Sequence, residues 1–172
     1  KRKKKALREE LQKKQELMIA KISKKKLPLT PEEYSKYYKI CDSLPFAFTD
    51  IEMVFNEEKK AVDWIFRYGN EALATLEKLP LDKMIGNSFS SLFSNMDAKW
   101  LHVYERATLY GETLEIMDYS PEIDTNLKII CFPTFPGHCG CILFNADQMK
   151  SISEENHMVR LAAVAMKSNP TI

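Results

Sequence analysis

The chain has 172 residues, a formal net charge of +1, 45% hydrophobic residues and only five glycines. That length suits one domain of roughly 100–150 residues with flanking helices, and the apolar fraction permits a packed core. No apolar run approaches the roughly 20 residues of a membrane span, no signal peptide is visible, and no phosphate-cradling loop, nucleophile elbow, zinc-protease motif or kinase signature occurs.

The small net charge hides an asymmetry. Residues 1–26 carry twelve Lys/Arg against three Glu, a local +9, whereas the remainder carries thirteen against twenty-one, or −8. The basic stretch lacks Gly and Pro and is rich in helix formers. Leu7, Leu11, Met18 and Ile22 fall near one helical face, but Lys14 interrupts the seam a coiled coil would need. Residues 1–30 are therefore expected to form a basic helical connector, with a polyanion-binding arm as the lesser reading. The absence of aromatics in the arm argues against single-strand binding, and nucleic acid is not the expected partner. Beginning on Lys rather than Met, the sequence is expected to be a piece of a longer protein, and a membrane span upstream stays open.

Lys26-Leu27-Pro28-Leu29 is a break. Thr30-Pro31-Glu32-Glu33 then combines a capping hydroxyl, Pro at the first helical position and Glu at the third, a strong helix start. Tyr34, Tyr37, Tyr38 and Cys41 recur at helical spacing, and Ser43-Leu44-Pro45 ends the helix. Phe46–Phe55 reads as a strand and Asn56–Lys60 as a polar turn. In Ala61–Leu73, AVDWIFRYGNEAL, the residues Val62, Trp64, Phe66 and Tyr68 alternate with Asp63, Ile65 and Arg67, the period of a half-buried strand. Gly69 breaks that pattern and Asn70 can cap a helix running to about Leu79-Pro80. Phe89–Phe93 reads as a short helix. Asp97 can cap a longer one whose face is Trp100, Tyr104, Ala107 and Thr108, with Gly111 as its stop. Strands follow at Thr113–Tyr119, Leu127–Pro133 and Cys139–Asn145, with Pro136-Gly137 turning the last pair. Beyond Asp147, Ser151-Ile152-Ser153-Glu154 is a capping-box candidate ahead of an amphipathic stripe at Met158, Leu161, Ala162 and Ala165.

Several of these wordings, in this order, resemble PAS sensory domains. AVDWIFRYGNEAL resembles their strand-to-helix step, YYKICDSLPFAFTDIEM their entry helix and first strand, Leu81–Gly86 their "s.eelIGk", and Phe89–Phe93 their "f.elfp" helix. The resemblance spans about residues 33–147. It implies an α+β, PAS-like five-stranded antiparallel sheet with short helices on one face, flanked by N- and C-terminal helices. Residues 31–147 would be the sensory domain, and 148–172 an amphipathic helix toward a possible downstream domain. The implied function is a signal-sensing module of a multidomain bacterial protein, of the kind attached to diguanylate cyclases or kinases. It would pass ligand or partner state through its flanking helices to an effector outside this chain. A homodimer through those helices is expected. PAS domains often close on Asp-x-Thr; here Asn145-Ala146-Asp147 stands there, making Asn145 and Asp147 candidate signal-junction residues.

The aromatics Trp64, Phe66, Tyr68, Phe89, Phe93, Trp100 and Tyr104, with Ile130 and Cys141, are candidates to wall a small-molecule pocket, or simply to pack together. No cofactor is required. His102 lies on the helix that supplies the axial histidine in haem-binding relatives, yet its spacing sets it off the Trp100/Tyr104 face. Flavin photochemistry is disfavoured because Gly86-Asn87-Ser88-Phe89 has no reactive Cys. His138, Cys139 and Cys141 form the tempting metal or thiol cluster, but no second ligand pair appears at zinc-like spacing. Four cysteines in a chain large enough to fold without staples are read as reduced thiols, hence a cytoplasmic location. The alternatives to a ligand sensor are a ligand-free PAS-like dimerisation or docking module and, further off, an enzyme using the Cys139 and Cys141 thiols.

Overall fold

Side-chain chemistry at the predicted boundaries sets the elements. In a computed structural model, which describes residues 1–23, 27–148 and 162, Thr30 and Glu33 close a capping box at the start of a helix over Pro31–Tyr37. Asn70 caps a helix at Glu71–Glu77, and Asp97 caps one at Ala98–Tyr110 that stops at left-handed Gly111. With the basic helix and two short turns, the helices are α1 (Arg2–Ser23), α2 (Pro31–Tyr37), α3 (Glu71–Glu77), α4 (Leu81–Met84), α5 (Phe89–Leu92) and α6 (Ala98–Tyr110). The strands are β1 (Ala47–Phe55), β2 (Ala61–Gly69), β3 (Leu114–Ser120), β4 (Thr125–Pro133) and β5 (His138–Asn145). Gly69 does not end β2 early. It closes the strand at a point where a Cβ would stand 2.5 Å from the Leu73 side chain, so its smallness lets α3 fold straight back onto the sheet.

The strands form one antiparallel sheet in the order β2-β1-β5-β4-β3. The fold is α+β and consistent with the PAS-type fold that the sequence resembles. Helices α3 to α6 cover the inner face. There Ile51, Met53, Trp64, Phe66, Leu127, Ile129, Cys139 and Cys141 pack with Leu73, Met84, Phe89, Trp100 and Tyr104. The free edge of β2 is not bare, because Phe66 and the Gly86–Asn87 backbone exchange hydrogen bonds of 2.7 and 3.1 Å.

The expectation of helices on one face holds for α3 to α6 and needs a correction for α2, which lies on the outer face. Its Tyr34, with Tyr38 just beyond its end, packs with Phe48, Tyr68 and Phe135 in a second, aromatic core. The second correction concerns β2. The Val62–Trp64–Phe66–Tyr68 alternation suggested one buried face, but the register slips twice: Ile51 pairs with Phe66 and Asp50 with Tyr68, then Val54 pairs with Asp63 and Phe55 with Ala61. Arg67 and Val62 are the extra residues. Each bulge reverses the alternation. Trp64 and Phe66 therefore face inward, Tyr68 joins the outer core, and Val62 is left 45% exposed.

α1 lies against α6 but stays open to solvent, with Leu7 56% and Leu17 63% exposed. No helix of the described residues is long and apolar enough to cross a membrane. The expected C-terminal helix over 148–172 lies outside the described residues, apart from Gln148 and Ala162.

Candidate functional site

Between the inner sheet face and helices α3, α5 and α6 sits a small cavity of about 20 Å³, room for about one water molecule. Typical small-molecule sites run to roughly 300–1,000 Å³, so the aromatic side chains fill most of the space a ligand could use. Trp64 stacks at 4.3 Å on Phe89 and meets the Tyr104 ring edge-on at 5.1 Å. Its other walls include Thr49, Phe66, Leu73, Trp100, Ile129 and Cys141, together with two carboxylates, Glu77 and Glu122.

Local structure carries both acids there. Leu73 and Glu77 stand four residues apart on α3, hence on one face of the helix. That face packs on the sheet: Leu73 is fully buried and Glu77 only 6% exposed. Glu122 sits in the β3–β4 turn, where Ser120 donates its hydroxyl hydrogen to Glu122 Oε1. Glu77 Oε2, Glu122 Oε2 and the Trp100 indole Nε1 are all buried without a hydrogen-bond partner among the described residues. Such atoms are uncommon in folded proteins because each forfeits its hydration. Burial, with Glu122 adding to it, pushes the Glu77 carboxyl up to about 8, so it holds its proton at neutral pH. Burial likewise raises the Tyr104 phenol well above its usual range and takes the Cys131 thiol up to about 12.

The outer face presents the opposite picture. Asp50, fully buried on β1, accepts a hydrogen bond from the Tyr38 hydroxyl and bonds His138 Nδ1 on β5 at 2.8 Å. Tyr68 donates to Asp42 at 2.6 Å. Asn70 uses its whole amide: Oδ1 accepts from Leu73 N and Phe48 N at 3.0 and 3.1 Å, and Nδ2 donates to the Cys41 and Phe46 carbonyls at 3.1 and 3.0 Å. Here the sequence singled out Asn70 as a cap and His138 as a cluster member. Asp50, the partner of His138, went unrecognised, and Tyr38, read only as part of an apolar helical face, is the second donor to that carboxylate.

Of the pocket candidates, Trp64, Phe66, Phe89, Trp100, Tyr104 and Cys141 line the cavity. Phe93 packs behind Phe89, with ring centroids 4.8 Å apart, and does not reach it. Tyr68 and Ile130 belong to the outer side, Tyr68 through the bulge and Ile130 by alternation between inward Ile129 and Cys131. His138 and the Cys139/Cys141 pair point to opposite faces, so they cannot share a ligand. No group of three His, Cys, Asp or Glu able to hold a metal occurs among the described residues. His102 is exposed, off the buried Trp100/Tyr104 face. Asn145 Oδ1 accepts from Asp147 N at 3.0 Å and Gln148 N at 3.3 Å, capping the turn that leaves β5. Glu77 and Glu122 were missed altogether. The available signal was Glu77 standing one turn after Leu73 on a face that had to be apolar.

No known family profile matches the sequence, and no curated protein matches it. Among solved structures, it is similar to the PAS domain of an HTR-like protein from Haloarcula marismortui, at 9% identity and TM-score 0.45, over 66% of this chain and 92% of that one. An RNA-binding light-oxygen-voltage receptor is similar at 15% identity and TM-score 0.43, over 81% of this chain and 40% of that one. The PAS domain of Bordetella pertussis BvgS is similar at 9% identity and TM-score 0.41, over 77% of this chain and 96% of that one.

Proposed function

We propose that this PAS-like α+β fold is a sensory module whose inner cavity registers a small molecule and whose sheet relays the state of that cavity to the flanking helices. The observation that carries this reading is the set of buried polar atoms left unpaired around the cavity: Glu77 Oε2, Glu122 Oε2 and Trp100 Nε1. A purely structural core would hold apolar groups there, since an unmet buried polar atom costs roughly 1–3 kcal/mol.

The relay follows from the pleat of β1. Thr49 and Ile51 wall the cavity, and Asp50 between them projects from the other face to hold Tyr38 at the end of α2. A ligand that moves the inner wall thereby acts on the anchor of α2, provided it binds one arrangement more tightly than the other. In this reading residues 1–30 connect the sensory domain, 31–147, to a neighbouring segment, and 148–172 lead toward an effector. The setting is the cytoplasm of a bacterium, the protein acts as a homodimer, and the effector, a diguanylate cyclase or kinase, lies outside this chain. Any enzymatic output is assigned to that effector.

Native mass spectrometry and absorbance of freshly purified protein test the reading. A small molecule held one-to-one and lost on unfolding is the expected result. Protein that is always empty, and whose melting temperature no small molecule shifts, overturns it.

One observation favours a second reading, the ligand-free docking module. On the outer face of β3, Met117 is 62% and Tyr119 42% exposed, and Ile40 beyond α2 is 84% exposed. Sedimentation with and without residues 1–30 separates the two, because docking alone predicts dimers that ignore ligand.

A further inference from the structure

We propose that the cavity takes a small protonated amine, its ammonium group seated between the Glu77 and Glu122 carboxylates and against the faces of the surrounding aromatic rings. This rests on the sensory reading above and names the chemistry of its ligand. The free space of about 20 Å³ accepts a group the size of water or ammonium. The unpaired oxygens of Glu77 and Glu122 lie in one enclosure, and once Glu77 gives up its proton both call for a donor-rich group. Among the described residues, no Lys or Arg lines it to act as a counter-ion. Trp64, Phe89 and Tyr104 present ring faces and edges at mutual spacings of 4.3 and 5.1 Å, and aromatic faces attract cations through their quadrupole. Trp100 adds a separate requirement. Its buried indole N–H has no acceptor among the described residues, so the enclosure is short of an acceptor there as well as of donors at the acids.

Proton balance gives the proposal a signature. The titratable groups facing Glu77 are Glu122 from the β3–β4 turn and Tyr104 from α6, and around Tyr104 in turn stand Cys131 from β4 and Cys139 and Cys141 from β5. Burial keeps Tyr104, Cys131 and Cys141 neutral. Glu77 therefore holds the proton that a bound cation displaces, and that proton leaves to solvent. Below about pH 8 the amine competes with it, and affinity should rise roughly tenfold per pH unit while the amine stays charged.

The chain's two tryptophans, Trp64 and Trp100, both wall the cavity, so intrinsic fluorescence reports its occupancy. The full chain is titrated with ammonium and methylammonium chlorides, with sodium chloride for ionic strength and methanol as a neutral probe of methylammonium's size. The expected result is a saturable change with the amines alone, release of about one proton per site at pH 7, and tightening from pH 6 to 8. Glu77→Gln and Glu122→Gln should each weaken binding at least tenfold. Thermal melts confirm that the variants fold, and Glu122→Gln, at a turn, stands in if Glu77→Gln does not. Amines acting no better than sodium chloride, binding without proton release, or unchanged binding in both variants overturns the proposal and leaves a lone water in the cavity. A neutral or anionic molecule that co-purifies and quenches the tryptophans overturns the amine while preserving the sensory reading. If no molecule of any charge moves them, both fall.

Discussion

The two faces of the sheet meet the same problem, polar groups buried against strands, in opposite ways. On the outer face, Asp50 joins Tyr38 to His138, tying the end of α2 to β1 and β5, and Asn70 separately ties α3 to β1 and to the segment after α2. On the inner face, Glu77, Glu122 and Trp100 keep buried atoms with no partner beside a cavity. A satisfied buried network fixes one geometry, whereas an unsatisfied one leaves a demand that something outside the chain can meet. In the proposed sensory reading, the outer face sets one geometry, though Thr134 Oγ1 beside Tyr38 is also unpaired among the described residues, and the inner face is the one a ligand completes.

That contrast is easiest to break at Asp50. Removing Asp50 strands the Tyr38 hydroxyl and His138 Nδ1 together, so Asp50→Ala should cost about 4 kcal/mol in urea denaturation, at roughly 1–3 kcal/mol for each unmet buried group; a loss under about 1 kcal/mol would show the outer network to be dispensable. Asn70→Ala comes next, at about 3 kcal/mol, since it removes a helix cap and further buried bonds together.

Glu77→Gln should have the opposite sign. The folded state holds this proton up to about pH 8, against an ordinary value of 4.5. The stability the proton lends is thus complete below pH 4.5 and drains away as pH climbs to about 8. At pH 7.5 the substitution should stabilise by about 2 kcal/mol, the unpaired amide offsetting part of the gain. It should also flatten the fall in melting temperature between pH 5 and 8, and a variant whose pH profile matches the parent's would dissolve the contrast from the inner side. The smallest effect is reserved for Arg67, which meets Glu52 at 2.6 Å in a partly exposed pair on the outer side. Arg67→Met should cost less than about 1 kcal/mol, marking where the rigid network ends.

Much of the fold was legible because its punctuation is local. Thr30, Asn70, Asp97 and Gly111 each announce a helix boundary through their own chemistry, and the strands follow from apolar runs between turns. The bulges were not legible. An extra residue at Val62 or Arg67 leaves the sequence alternation intact, and only the partner strand reveals the slip, which is why Tyr68 was assigned to the wrong face. The outer network was hidden for a related reason: Asp50 and His138 lie 88 residues apart and meet only through the β1–β5 pairing. At the candidate site, the aromatic walls stood out by type and spacing. The acids did not, because a Glu at the last position of a short helix reads as solvated until the burial of Leu73 shows where that face goes.

The four hydrogen bonds of Asn70 also make α3 a lever. Its first turn is pinned to β1 and to the segment after α2, while its far end carries the unpaired Glu77. A seven-residue helix is about 10 Å long, so a tilt of about 10° about Asn70 moves the Glu77 end by about 2 Å and barely disturbs the start. Amide exchange should accordingly be faster at Leu76 and Glu77 than at Leu73, and a ligand between the acids should slow the far end first. Equal protection along the helix would mean that the cavity opens some other way.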